Sequence, residues 1–506
     1  MNKKLLLLIG LAAMTLASCN KTETVAPTTE SQVKDGQIAL NFGAYTNRGI
    51  ATRSGVGGIL TTDGSEGLNS ASLKEKGFGV FAYYNNGELY NEMSKPDFMY
   101  NTQVEYDTNN QWTYSPLRYW PNEFGSNAVS EDVDRLTFFA YAPWVYANPG
   151  TGVVADRGSD ADYNKSTGII GMTRNSATGD PFIKYAVDFD VYKTVDLCWG
   201  VAYEDMTDVV TGGEQWEVKE DNPFLNVVKP ATDTRIKFKF RHALAALNIK
   251  IDADFDETRH SESDETDADS GEGFLENTRI YVRSVSFEGF ALKGALNLNS
   301  SWEDTDDGRT PKWADLGCTG ILSEEPVTIY DGRRDGKEGR DAENVKTESP
   351  LGLNQQLIQY KPYAYSGISS DQKKYEGFTT VEVDRLGVTH KTTNLFAVQD
   401  PTDADQIDAP VFVIPTGGDL KITIVYDVET ADPNLSGYLS DGQTHGVSVQ
   451  NAITKEITIG DDPFKLEAGK KYAITLHLGM TSVKFDAEVE AWDDENADES
   501  WHPINS

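Results

Sequence analysis

The recurring pattern along this chain is alternation. Apolar and polar residues trade places at every second position, the mark of strands with one buried face, and nowhere is the helical period of roughly 3.6 sustained. In QIALNF, the residues Ile38, Leu40 and Phe42 share a face. FGVFAY repeats this with Phe78, Val80 and Ala82, and LTFFAYAPW from Leu136 reads as a further strand. In RIKFKFRH, Ile236, Phe238 and Phe240 oppose Lys237, Lys239 and Arg241, and LNIKID continues with Leu247, Ile249 and Ile251. Toward the end Leu420, Ile422, Ile424, Tyr426 and Val428 alternate, as do Tyr472, Ile474, Leu476 and Leu478. Many short strands punctuated by 44 glycines and 19 prolines predict an all-β chain built of sandwiches.

Where the alternation breaks, the chain's organisation shows. At the start, Lys3 and Lys4 precede an apolar run, and Ala17 and Ser18 are the small residues of a cleavage site. The run from Leu5 to Ser18 falls short of the roughly 20 apolar residues that span a bilayer. Leu16-Ala17-Ser18-Cys19 matches a lipobox, so residues 1–18 are expected to be a lipoprotein signal peptide and Cys19 the lipid-bearing first residue of the mature chain. More than one acyl chain anchors stably, which places the protein on the outer membrane face at the cell surface. Residues 19–35 are polar and turn-prone, a flexible tether.

A chain of 506 residues suggests two domains, since a single core rarely grows past ~250 residues. The turn-rich KEDNPFLNVVKPATDT sets the junction, giving an N-terminal sandwich over 36–228 and a C-terminal one over 229–506. The second carries long loop insertions, chiefly the acidic stretch 252–276 and the segment 331–348; residues 367–395 have too little apolar patterning to assign.

Charge narrows the partners. Eighty acidic side chains against 45 basic ones leave a net −35, which excludes nucleic acid as a partner of the folded part, because a phosphate backbone needs Lys and Arg to neutralise it. Signatures of catalysis are missing: no GxSxG, no GxxxxGK[ST], no HExxH, and GVGG at 55–58 lacks the strand-to-helix setting of a phosphate cradle. The sequence therefore predicts no enzyme, no cofactor and no metal. Its six histidines have no paired-ligand spacing, so a zinc site would need ligands brought together from afar. The tract DETDADSGEGFLE invites calcium, yet a loop counted from Asp267 ends on Thr278 where an EF-hand needs a bidentate Glu. Cys198 and Cys318 are either a disulfide or two free thiols.

One stretch is more specific. Trp112-x-Tyr114-x-Pro116-x-Arg118-Tyr119-Trp120-Pro121, followed by Phe138-Phe139-Ala140-Tyr141-Ala142-Pro143, resembles the N-terminal module of the fimbrillin family, the Mfa-like proteins related to type V pilins of Bacteroidetes. FKFRHALAALNIKI resembles that family's opening of a second domain, and LEAGKKYAITLHLGMTSVKFDAEVEAW its closing strands. The resemblance implies two transthyretin-like β-sandwich domains in tandem. It also implies export as a lipoprotein, cleavage by an arginine-specific protease that removes the first strand, and assembly with other fimbrial subunits in support of adhesion to a host or bacterial surface ligand. On this chain the removable strand would hold Ile38, Leu40 and Phe42, and Arg48 or Arg53 would be the cut site. The donor strand would be VKFDAEVEAW, with Val483, Phe485, Ala487, Val489 and Ala491 on its apolar face. That strand has a second reading, pairing within its own domain with nothing donated. The alternative function is a surface glycan-binding lipoprotein that does not polymerise, with nine tryptophans and 23 tyrosines as sugar platforms.

Overall fold

The structure is a computed structural model of the whole chain. It describes residues 38–46, 70–84, 88–108, 111–121, 134–154, 166–189, 194–209, 215–229, 235–254, 278–302, 311–319, 322, 327–331, 357–359, 393–394, 410–432, 446–459, 465–479 and 483–491. Cys19, Arg48, Arg53 and most of the 252–276 and 331–348 insertions lie outside the described residues.

One short helix, α1 (Ser70–Lys76), stands among strands. In chain order these are β1 (Asn41–Thr46), β2 (Phe78–Tyr84), β3 (Met99–Tyr106), β4 (Trp112–Thr113), β5 (Arg135–Ala142), β6 (Gly168–Met172), β7 (Phe182–Ala186), β8 (Cys198–Ala202), β9 (Met206–Val209), β10 (Gln215–Val218), β11 (Phe224–Val228) and β12 (Arg235–His242). There follow β13 (Ala245–Asp254), β14 (Thr278–Glu288), β15 (Phe290–Ala291), β16 (Lys293–Asn297), β17 (Trp313–Ala314), β18 (Val327–Asp331), β19 (Leu357–Gln359) and β20 (Thr393–Asn394). The last five are β21 (Val411–Pro415), β22 (Leu420–Asp432), β23 (Gly446–Ile459), β24 (Lys470–Gly479) and β25 (Val483–Ala491). The chain is all-β as its alternation requires, and among the described residues no helix is long and apolar enough to cross a membrane.

The first sheet runs β1-β12-β8-β5-β2-β3-β4, with β11 also on β5. Here the structure corrects two expectations. Strand β12, expected to open the second domain, pairs with β8 and β1 in the first sheet, and the chain leaves that sheet only after His242. The reason is visible in its own pattern: Ile236, Phe238 and Phe240 join the same buried cluster as Phe42, Phe78 and Phe138. Two of the strands expected to be half-buried, β2 and β5, are also buried on both faces, whereas β22 and β24 keep the expected alternation. Phe78, Val80 and Ala82 of β2 enter an inner core, while Phe81 and Tyr83 enter an outer one. β5 and β8 split in the same way, with Phe139, Tyr141, Trp199 and Val201 facing outward into the second cluster. Apolar residues at both parities are what a strand covered on both faces demands.

The covering layer is a four-stranded sheet, β17-β16-β7-β6, which mixes strands from before and after the central sheet crossing. Ile169, Ile183, Tyr185 and Leu296 from it meet Phe139 and Trp199 in one cluster. Two further sheets, β15-β21-β13-β24-β25 with β20 on β13, and β18-β14-β22-β23 with β19 on β14, contribute to the same cluster through residues such as Ile474, Leu476, Ile422 and Ile424. Strand β13 continues to Asp254, three residues into the stretch read as an acidic loop.

Candidate functional site

The chain's first described strand closes the inner core. The alternation of Ile38, Leu40 and Phe42 is real, but the ladder begins as a single bridge, Ala39 to Tyr119, and becomes strand only at Asn41. It then runs to Thr46, parallel to β12 from Asn41 opposite Arg235 to Thr46 opposite Phe240. Leu40 N donates to the Arg118 carbonyl at 2.9 Å and Trp120 N to the Ile38 carbonyl at 2.9 Å. Since β4 and the residues after it lie at the far end of the sheet, these bonds join the sheet's two edges around the inner core.

Leu40 is fully buried and Phe42 is 2% exposed. The Phe42 ring lies 5.3 Å from Tyr114, 6.0 Å from Phe138 and 6.2 Å from Phe238, centroid to centroid, the first two edge-on and the last stacked. Gly200 makes room behind it: a Cβ there would sit 2.8 Å from the Phe238 ring. The aromatic run singled out in the sequence builds the opposite wall. Trp112 and Tyr114 pack against the inner core from its rim and Trp120 is buried in it. The Tyr114 hydroxyl donates to the Leu40 carbonyl at 3.0 Å, and burial pushes its pKa up to about 12. Removing residues up to Thr46 would bare one edge of β12 and uncover Phe138, Phe238 and Tyr114.

The other predicted segment, β25, lies at the edge of its sheet, joined among the described strands to β24 alone. Val483, Phe485, Ala487 and Val489 stand opposite Leu478, Leu476, Ile474 and Tyr472, and Ala491 opposite Lys470. Val483, Ala487 and Val489 are only half-buried, packed against the outer cluster. Ile38, Leu40 and Phe42 are thus brought together as one wall of the inner core, whereas the five β25 positions belong to another sheet.

Three residues that sequence spacing could not connect do meet. Asp196, Cys198 and His242 are all buried, and their ligand-type atoms lie within 4.8 Å of one another. His242 follows Ile236, Phe238 and Phe240 at the same parity, a signal that it faces the inner core. Cys318 is half-buried, burial raises its thiol pKa, and neither it nor Cys198 is in a disulfide. Among the tryptophans whose burial is described, Trp120 and Trp199 are buried and Trp112, Trp144, Trp302 and Trp313 are half-covered.

No family model matches the chain, and no curated protein matches it. Among solved structures it is similar to a fimbrial protein from Bacteroides vulgatus, at 18% identity over 90% of this chain and 99% of that one, with a TM-score of 0.44. It is similar to a candidate cell adhesion protein from Bacteroides uniformis, at 14% identity over 91% and 100% of the two chains, with a TM-score of 0.33. A third is the C-terminally truncated tip fimbrial protein Mfa3 from Porphyromonas gingivalis, at 7% identity over 83% and 96%, with a TM-score of 0.24.

Proposed function

We propose that the chain is a non-enzymatic surface lipoprotein, a structural subunit or accessory component of a type V-like fimbria that supports adhesion, assembled by protease-triggered strand exchange. The observation that carries this reading is a match of two edge strands. Leu40-Asn41-Phe42-Gly43-Ala44 closes the inner core, and Val483-Lys484-Phe485-Asp486-Ala487 repeats its apolar pattern at the edge of another sheet.

Laid into the β1 position of a second copy in that register, the C-terminal strand sets Asp486, Glu488 and Glu490 opposite Lys237, Lys239 and Arg241. Strand β1 itself offers only Gly43 and Tyr45 to Lys237 and Lys239. Lys484 opposite Arg235 is the one like-charged pair. The basic residues already hold acids: Lys237 pairs with Glu204, Lys239 with Glu220 at 3.0 Å, and Arg241 with Asp221 at 2.9 Å. Each added carboxylate is therefore worth no more than about 1 kcal/mol, and its effect is to fix register and partner rather than affinity. Val489 would replace Thr46 over Phe240 and add apolar cover.

The two strands differ in how firmly they are held, and the difference suits such an exchange. Leu40 and Phe42, fully buried, resist release by about 1.5–3 kcal/mol each, so β1 stays until the backbone behind it is cut. The half-buried β25 opens far more readily. Donor and acceptor being different surfaces of one molecule, the contact propagates head to tail into a filament.

The test uses the full chain. Digestion with an arginine-specific protease should cut after Arg48 or Arg53, read by N-terminal sequencing, and an unheated denaturing gel should then show a ladder. An Arg48→Ala, Arg53→Ala chain should yield neither. Complete cleavage with only monomer on the gel would overturn strand exchange. Labelled palmitate entering the parent and not Cys19→Ala would establish the anchor; equal labelling would refute it.

A further inference from the structure

The cluster of Asp196, Cys198 and His242 lies at the end of the inner core, where the chain passes from β12 to β13. Strands β8 and β12 are antiparallel, and Cys198 stands directly opposite His242 in their register. Directly opposed residues share a face, so both side chains enter the same side of the sheet. Asp196 precedes Cys198 by two residues, and its carboxylate Oδ2 lies 2.8 Å from His242 Nδ1. The Cys198 Sγ lies 3.4 Å from the same Nδ1 and 3.8 Å from Asp196 Oδ1. Exposure is 2% for Asp196, 0% for Cys198 and 3% for His242.

Three Lewis-basic atoms of three kinds thus converge in a dry interior, two of them on one ring nitrogen. A tetrahedral zinc ion, at about 2.0 Å from nitrogen and oxygen and about 2.3 Å from sulfur, sets its donors roughly 3.3–3.6 Å apart. The sulfur-to-nitrogen separation already sits in that range, the carboxylate-to-nitrogen distance must widen by about half an ångström, and the sulfur contact is to the other carboxylate oxygen, Oδ1, so the carboxylate must turn to bind through one oxygen. Charge also closes. A carboxylate, a thiolate and a neutral imidazole balance a divalent cation, so no net charge is left in the low-dielectric core.

We propose that Asp196, Cys198 and His242 bind a zinc ion that ties β8 to β12 at the passage between sheets, supplying three of its four ligands. On binding, the thiol proton of Cys198 leaves to solvent, and His242 binds through Nδ1 as the neutral ring with its one proton on Nε2. The role is structural: all three side chains are buried, away from bulk solvent. Strand exchange does not depend on it, and neither proposal falls with the other.

The test is metal content of the full chain, unfolded with chelator and refolded with and without zinc. About one equivalent of zinc should be retained through dialysis, with a higher melting temperature in the zinc form. Refolding with cobalt should give a thiolate-to-cobalt charge-transfer band in the near ultraviolet, which Cys198→Ala should lack. Should that variant not fold, Cys198→Ser keeps the volume and a hydrogen-bonding oxygen, and its zinc affinity should fall at least about tenfold. Less than a tenth of an equivalent in the parent, a cobalt spectrum without the thiolate band, or an unchanged affinity in folded Cys198→Ser would overturn the assignment and leave a hydrogen-bonded cluster.

Discussion

Strands β1 and β25 are both edge strands with a period-two apolar face, yet they are held in opposite ways. β1 puts Leu40 and Phe42 fully inside the inner core and is gripped on two sides, by β12 and by the backbone around Arg118 and Trp120. β25 has one ladder, to β24, and its described apolar residues remain half-exposed at the margin of the outer cluster. Pattern alone makes the two look interchangeable. What separates them is the second wall: a strand that closes a curled sheet buries its apolar face completely, while one appended to an open edge covers only half of it.

The largest expected effect comes from applying one operation to both edges. Phe42→Ala removes a ring packed against Tyr114, Phe138 and Phe238 and should destabilise the chain by about 3–5 kcal/mol, the range of a buried aromatic cavity. Val489→Ala, at a half-buried site, should cost about 1 kcal/mol or less. Denaturant melts of the two variants check this, and equal losses would erase the distinction between the strands.

Next in size is the charge match. Reversing Glu488 and Glu490 to lysine leaves the apolar face of β25 intact but would oppose Lys239 and Arg241 of an acceptor. The rate of ladder formation after proteolysis should fall about tenfold, equivalent to ~1.4 kcal/mol, while the stability of the uncut chain changes by under about 0.5 kcal/mol. Lys237→Glu, which would meet Asp486, should slow assembly in the same sense. A ladder forming at the parental rate in both variants would remove charge from the register.

Much of this was legible in the sequence. Period-two parity placed Leu40 and Phe42 on one face and Ile236, Phe238 and Phe240 on another, and both faces proved buried. Parity, however, says which face a side chain takes and nothing about what covers it. That is why β12 was given to the wrong sheet, and why β2 and β5, apolar at both parities, were read as half-covered. The long-range meeting of Asp196 and Cys198 with His242 had no local spacing to announce it; only the shared parity of His242 with Phe240 pointed inward.

A smaller effect concerns the hydroxyl that holds β1. Tyr114→Phe removes its bond to the Leu40 carbonyl and should cost about 0.5–1.5 kcal/mol near neutral pH. The parent should also show a pH dependence that the variant loses in part. The Tyr114 phenol, raised by burial to about 12 from its ordinary 10.0, binds its proton more tightly in the folded state. Its contribution is complete below the unfolded value of about 10 and is lost as pH rises through about 12. Tyr83, Tyr141 and Tyr185, raised further by burial, steepen the same alkaline loss, so the variant's melts should be flatter between pH about 10 and 12 without becoming level.

The smallest effect tests whether the wall opposite β1 works by shape or by polarity. Trp120 is 2% exposed, its ring lies 5.9 Å from Phe138, and its indole N–H finds no hydrogen-bond partner among the described residues. An unpaired buried donor costs about 1–3 kcal/mol, and removing it returns that penalty. Trp120→Phe also shrinks the side chain, at a loss of about the same size for the volume left empty. The two terms oppose, so the net change should lie within about 1 kcal/mol of zero, in contrast to Phe42→Ala, where nothing polar is relieved. Calorimetric melts of the two variants side by side make the check. A loss at Trp120 as large as that at Phe42 would mean that the indole nitrogen is bonded after all, and that polarity as well as ring packing holds the closing strand in place.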